Sequence, residues 1–291
     1  MYPASPRVID LFLSIPPDDA SFVERFPGVA NDHYAADRKH GHDFMFRGIP
    51  EIAGARFERV LLTDMDRNHI ERALIPVTFD EPIGRGILER NPDRFVGSYA
   101  VDPNAGMRGV RDLERACREF TIAAAAAFPA GYAPQVPIDD RRFFPLYAKC
   151  IELDIPMFIT AGVPGPRFRM DCQRVDRLDE VCWFFPELTV ITRHGCEPWV
   201  ELAVKLMLKY PNLYYSTSGF APKYYPPAII DYANTRGADK IMYAGYFPAG
   251  LSYERIFSEL PDVPLRAEVW PKFLYENAAR VLKLPTPAVT A

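Results

Sequence analysis

Phe143-Phe-Pro-Leu-Tyr-Ala-Lys-Cys-Ile-Glu-Leu-Asp-Ile-Pro-Met-Phe-Ile-Thr160 decides the fold. Residues 143–153 carry apolar side chains at helical spacing. Pro156–Thr160 then forms a short apolar run of the kind buried on both faces of a parallel sheet. The same alternation runs along the whole chain. Apolar, β-branched runs predict strands at Val8–Leu13, Ala73–Val77, Phe95–Val101, Ile122–Phe128, Pro156–Thr160, Thr189–Arg193, Leu213–Thr217 and Lys240–Ala244. Between them lie predicted helices such as Ala55–Asn68, Arg108–Glu119, Phe143–Leu153, Gln173–Phe185, Trp199–Lys209 and Pro227–Thr235. Each interval suits one βα unit. Eight units in 291 residues predict an α/β chain folded as one (β/α)8 TIM-type barrel over 1–291, with extra C-terminal helices in 265–284 packing on its outside. An open doubly wound sheet is the alternative. It would want a glycine-rich phosphate turn after an early strand, and no G-x-G-x-x-G occurs.

Composition narrows the partners. The formal net charge is −4 with no basic run, which argues against nucleic acid. No apolar stretch nears the roughly 18 residues of a membrane span, so no membrane partner is expected. The first residues, Met1-Tyr-Pro-Ala-Ser-Pro-Arg7, lack the basic and apolar segments of a secretory signal, and a cytoplasmic location is expected. Five cysteines without a C-x-x-C pair suit neither a disulfide framework nor a cysteine zinc site. Cys117, Cys150 and Cys182 read as buried packers. Cys196 draws attention because it follows His194 by two residues.

Two stretches interrupt the βα rhythm. Residues 14–50, rich in Pro, Asp and His, follow the first strand, and 161–172 follow the fifth. Long loops on a barrel act as lids or pocket walls on its catalytic face.

Several stretches carry a family likeness. These are Leu61-Leu-Thr-Asp-Met-Asp-Arg67, Asn91-Pro-Asp-Arg-Phe-Val-Gly97 with Val101-Asp-Pro103, Phe144-Pro-Leu-Tyr147, Arg193-His-Gly-Cys-Glu-Pro-Trp199, Pro211-Asn-Leu-Tyr-Tyr215 and Asn277-Ala-Ala-Arg-Val281. Together they span nearly the whole chain. The chain resembles the amidohydrolase-2 branch of the amidohydrolase superfamily, which includes aminocarboxymuconate-semialdehyde decarboxylase and γ-resorcylate decarboxylase. The resemblance implies a barrel with a divalent ion, usually zinc. The ion is held by a His-x-His pair on the first strand, a histidine after the fifth and an aspartate after the eighth, and a further histidine after the sixth works beside it. Here those positions read Phe12 and Ser14, Thr160, Tyr246 and His194. Only His194 is kept.

A catalytic zinc needs about three protein ligands. Phenylalanine has no lone pair, and serine, threonine and a protonated phenol are poor neutral donors, so no metal or other cofactor is expected at the inherited site. Zinc enters only through relocated ligands, for which His33, His40, His42 and His194 are the candidates. Without metal, His194 at a strand's C-terminal end suits general acid–base work. Glu197 is placed to orient it, or to favour the next helix's N-terminus. Tyr246 offers a phenol to a carbonyl or enolate oxygen. Ser14, Thr160, Ser216 and Ser218 add small polar groups, with Phe12, Phe128 and Phe220 as apolar walls. Arg167, Arg169 and Arg47 are candidates for binding a substrate carboxylate or phosphate.

Three readings follow. The first is a metal-independent decarboxylase, other lyase or hydrolase acting on a small apolar or aromatic carboxylate or carbonyl compound. The second is a catalytically silent binding or scaffold subunit. The third is a metal-dependent hydrolase with relocated ligands. A small-molecule substrate is the expected partner, and a homodimer remains open.

Overall fold

The computed structural model describes residues 1–15, 52, 54–165 and 167–285. β1 (Val8–Asp10), β2 (Ile70–Val77), β3 (Phe95–Ala100), β4 (Ile122–Ala127), β5 (Met157–Thr160), β6 (Val190–Arg193), β7 (Leu213–Ser216) and β8 (Ile241–Met242) fall on the eight segments predicted from sequence. They pair in parallel in the order of the chain, β1 through β8. Parallel neighbours require crossovers. Helices supply them: α1 (Gly54–Arg67), α2 (Pro82–Arg90), α3 (Met107–Glu119), α4 (Phe144–Glu152), α5 (Arg177–Phe184), α6 (Val200–Lys209), α7 (Pro227–Ala233) and α8 (Tyr253–Glu259). This is the (β/α)8 TIM-type arrangement. None of its described helices is long and apolar enough to cross a membrane.

Local chemistry sets the helix positions. In α3 the buried residues Val110, Leu113 and Ala116 recur every third position and face the sheet. Full burial of Leu113 is worth about 2 kcal/mol. The short α2 is fixed at its start instead. Pro82 occupies the first turn, and the Glu81 carboxylate accepts from the Ile83 and Gly84 N–H groups.

Two apolar layers follow the period of two along each strand. Ile9, Leu11, Leu74, Val96, Ala124, Ala126, Phe158, Ile191, Met242 and Ala244 form the barrel interior. The intervening Val8, Ala73, Ile75, Ala125, Met157, Ile159, Val190, Leu213 and Ile241 join the larger cluster beneath the helices.

The structure departs from the sequence reading at two places. First, β1 and β8 are shorter than Val8–Leu13 and Lys240–Ala244. Among the described residues no ladder joins them. A single bridge links Leu13 to Phe247, and Ser14 N–H donates to the Phe247 carbonyl at 2.9 Å. The Asp10 carboxylate takes the Gly245 N–H at 2.7 Å, so a side chain does part of the work of a ladder at this seam.

Second, the C-terminal segment divides: Leu265, Val269, Trp270, Phe273 and Leu274 join the outer cluster, while its last part reaches the interior one. A π-helical turn, Lys272–Glu276, runs into α9 (Asn277–Val281). Tyr275, Ala278, Val281 and Leu282 pack into the interior cluster. Asn277 Nδ2 donates to the Ala238 and Ile241 carbonyls at 2.7 and 3.0 Å, and Arg7 Nη2 donates to Tyr275 Oη at 2.7 Å. These partners lie at strand beginnings, so the segment seals the barrel's lower end. An interior lined by small alanines leaves an apolar floor that would otherwise face water.

Candidate active site

At the upper end of β6 the chain turns through His194, Gly195 and Cys196, whose φ angles are 60°, 102° and 66°. Left-handed backbone is unfavourable for the two side-chain-bearing residues. Gly195 is required at the centre, because a Cβ there would sit 2.4 Å from the Phe220 ring. The turn is held by His194 N–H donating to Ser218 Oγ at 3.2 Å. Cys196 is fully buried and burial pushes its thiol up to about 12, which suits packing and not nucleophilic attack.

This turn brings the His194 ring to Phe12 and Tyr246. His194 meets Phe12 edge-on at 4.8 Å and Tyr246 edge-on at 5.2 Å, while Phe12 and Tyr246 stack at 5.1 Å. Three candidates from β1, β6 and the loop after β8 thus converge on one mouth. Burial, with the neighbouring positive charge of Arg193, pushes the imidazole down to about 3. Burial pushes the Tyr246 phenol up to about 12. At neutral pH the pair is an uncharged acceptor beside a protonated donor. His194 Nδ1 is itself buried, has no hydrogen-bond partner among the described residues, and lies where a Cβ on Gly219 would approach to 3.2 Å.

The other predicted residues take varied places. Ser14 Oγ accepts from Ala249 N–H at 3.0 Å and holds the seam. Thr160 is buried at the end of β5, in register with Arg193. Phe128 is half-buried and meets Phe168 edge-on at 5.4 Å, joining the loops after β4 and β5. Arg167, in the latter loop, is exposed. Glu197 is half-buried and its carboxyl is raised by burial. Among the described residues its carboxylate makes no hydrogen bond to His194, although its carbonyl accepts from Val163 N–H at 2.8 Å. Arg47, His33, His40 and His42 lie outside the described residues.

Two buried charges escaped the sequence reading. Arg193, 9% exposed, lies over the faces of Phe12 and Phe158, with its guanidinium carbon 5.2 and 4.7 Å from the ring centres. Nη2 donates to Ser98 Oγ at 3.3 Å, and Nε has no partner among the described residues. Burial pushes this guanidinium down to about 9. The available signal was its register: Arg193 follows the interior Ile191 by two. Asp10 is fully buried and accepts from Gly245 N–H, Phe12 N–H and Tyr253 Oη at 2.7, 3.0 and 2.7 Å. Its signal was a single charge inside an apolar strand.

This donor set does not fit a divalent ion. Phe12 brings a ring, Ser14 is engaged by Ala249, and the Arg193 guanidinium lies against Phe12, where it would repel a second cation. Among the described residues no group of three or more His, Cys, Asp or Glu side chains lies together in a metal-binding arrangement.

A family model described as amidohydrolase matches residues 46–284, and the chain belongs to that family. A search of curated proteins finds no match. Among solved structures, an uncharacterized TIM-barrel protein from Bordetella bronchiseptica superposes with a TM-score of 0.74 at 22% identity, covering 95% of this chain and 98% of that one. 5-Carboxyvanillate decarboxylase from Sphingomonas paucimobilis gives 0.66 at 14%, covering 96% and 99%. 2,6-Dihydroxybenzoate decarboxylase from Rhizobium gives 0.63 at 16%, covering 96% and 99%. At such identities these likenesses speak for the fold.

Proposed function

We propose that this chain is a metal-independent enzyme of the amidohydrolase barrel, acting on a small aromatic carboxylate by decarboxylation. The observation that carries the reading is the meeting of Phe12, His194 and Tyr246 at the mouth, an uncharged proton acceptor and a phenol donor against an apolar wall. The barrel relatives named as decarboxylases of hydroxylated benzoates support the substrate class.

On a hydroxybenzoate, neutral His194 takes the ring hydroxyl proton and delivers it to the carbon bearing the carboxylate. The carbon–carboxylate bond then breaks, its electron pair restores the aromatic ring, and CO2 leaves. The phenolate that results is hydrogen-bonded by the Tyr246 O–H and takes a proton from solvent. No activated water is needed.

The test is CO2 release from 2,6-dihydroxybenzoate and 5-carboxyvanillate, with and without a chelator. Turnover that persists in chelator and falls by roughly 10²-fold or more in His194→Gln is expected. Silence on both substrates, or an unaffected His194→Gln, would overturn the reading. One tightly held ion per chain, lost together with activity, would replace it with the relocated-ligand hydrolase. One observation favours a silent binding subunit: among the described residues no carboxylate orients His194, and Nδ1 has no partner. Binding of either benzoate without turnover would select that reading.

A further inference from the structure

Arg193 is an unusual thing to find inside a barrel. A guanidinium withdrawn from water is costly unless a carboxylate and further hydrogen bonds compensate it. Among the described residues no carboxylate pairs with Arg193. Its neighbours there are the Ser98 hydroxyl and the faces of Phe12 and Phe158, and none of the described residues partners Nε. The next residue repeats the pattern, since His194 Nδ1 is also buried and open. Ser98 pairs with the small Ala124 of β4, and both are buried. The C-terminal plug packs against the lower end of the interior cluster, away from His194 and Tyr246.

We propose that Arg193 is the fixed positive charge of this barrel and anchors one carboxylate of a flat, apolar ligand. The inference rests on reading the mouth as a ligand site. A carboxylate fits beside the guanidinium, where Nε lacks a partner among the described residues and Nη2 makes only the long Ser98 contact, and the apolar walls disfavour a hydrated inorganic ion. A carboxylate held in this way keeps its charge, so Arg193 suits binding an anion better than expelling it as CO2. The ligand therefore carries a second, reacting group that faces His194 and Tyr246. A ring with two acidic substituents is the substrate class this points to.

Benzoate, its neutral isostere benzamide and chloride are the probes, read by calorimetry on the full chain. Wild type is expected to bind benzoate saturably, and Arg193→Met to weaken it by about thirtyfold or more while leaving benzamide unchanged. Arg193→Lys should fall between the two, because a point charge does not reproduce the fork. It also serves if the methionine variant fails to fold. Equal benzoate affinity in wild type and both variants would overturn the anchor, as would no benzoate binding at millimolar concentration. Displacement of benzoate by equimolar chloride would overturn the aromatic carboxylate in favour of a general anion site. Benzoate binding that depends on Arg193, without CO2 release from any substrate, would sink the proposed reaction and leave the anchor standing. CO2 release whose KM ignores Arg193 would do the reverse.

Discussion

Asp10 and Arg193 are both buried towards the upper end of the barrel, one at the β1–β8 seam and the other at the end of β6, yet their surroundings differ in kind. Asp10 has three donors: two backbone N–H groups and the Tyr253 hydroxyl. Among the described residues Arg193 has one weak hydroxyl contact, two ring faces and an unpartnered Nε. Native structures pair nearly all their buried polar groups, so the satisfied charge reads as architecture and the unsatisfied one as a group kept for something that arrives later. The seam spends its carboxylate on closing the sheet. At the mouth, the described residues leave Arg193 Nε and His194 Nδ1 without partners.

The sharpest way to break this comparison is to cut the seam. Asp10→Ala strips the partners from Gly245 N–H and Tyr253 Oη and should cost about 3–5 kcal/mol in urea unfolding. A loss near zero would mean that the seam is held by the Leu13–Phe247 bridge alone.

Next comes pH. Burial holds the Asp10 carboxyl at about 6, above its ordinary 3.8, so the native state binds this proton more tightly than the unfolded chain does. The stability it contributes is complete below about pH 3.8 and is lost as pH rises through about 6, a change of about 3 kcal/mol. Asp10→Asn should remove that slope when unfolding is followed from pH 4 to 8. Parallel wild-type and variant curves would refute the assignment.

The mouth should respond with the opposite sign. Without ligand, Arg193→Met removes an unpaired buried charge and should stabilise the fold by about 2 kcal/mol, visible as a higher Tm. A destabilised variant would show that Ser98 and the two rings already satisfy the guanidinium. The smallest effect belongs to Tyr246→Phe, which should alter stability by less than about 1 kcal/mol while lowering CO2 release. A fall in stability with full activity would move Tyr246 from the site to the scaffold.

Much of the fold was legible in the sequence because its signals are local. Phe158 and Ile191 sit in short apolar runs, and each helix before such a run shows its apolar face within one or two turns. All eight strands were therefore found, with errors confined to their ends. β1 and β8 are shorter than their apolar runs predict because a side chain such as Asp10 can replace ladder hydrogen bonds without changing the apolar pattern. That the C-terminal segment turns from the outer cluster to the interior one at Tyr275 is not legible, because an apolar helix face says that it packs and not against what. In the site, Phe12, His194 and Tyr246 were named through a family likeness, and nothing in their own spacing brings residues 12, 194 and 246 together. Arg193 was passed over because an arginine at a strand end is ordinarily exposed.

What the sequence alone determined is the succession of βα units, since strand period and crossover length are written within a few residues of each other. What the tertiary structure decided is which alternate residues face inward and which of them meet. Barrel closure sets both, and closure joins the first strand to the last across nearly the full length of the chain. Only after that closure does Arg193 become an interior charge, and only then does His194 stand beside the ring of Phe12 and the phenol of Tyr246.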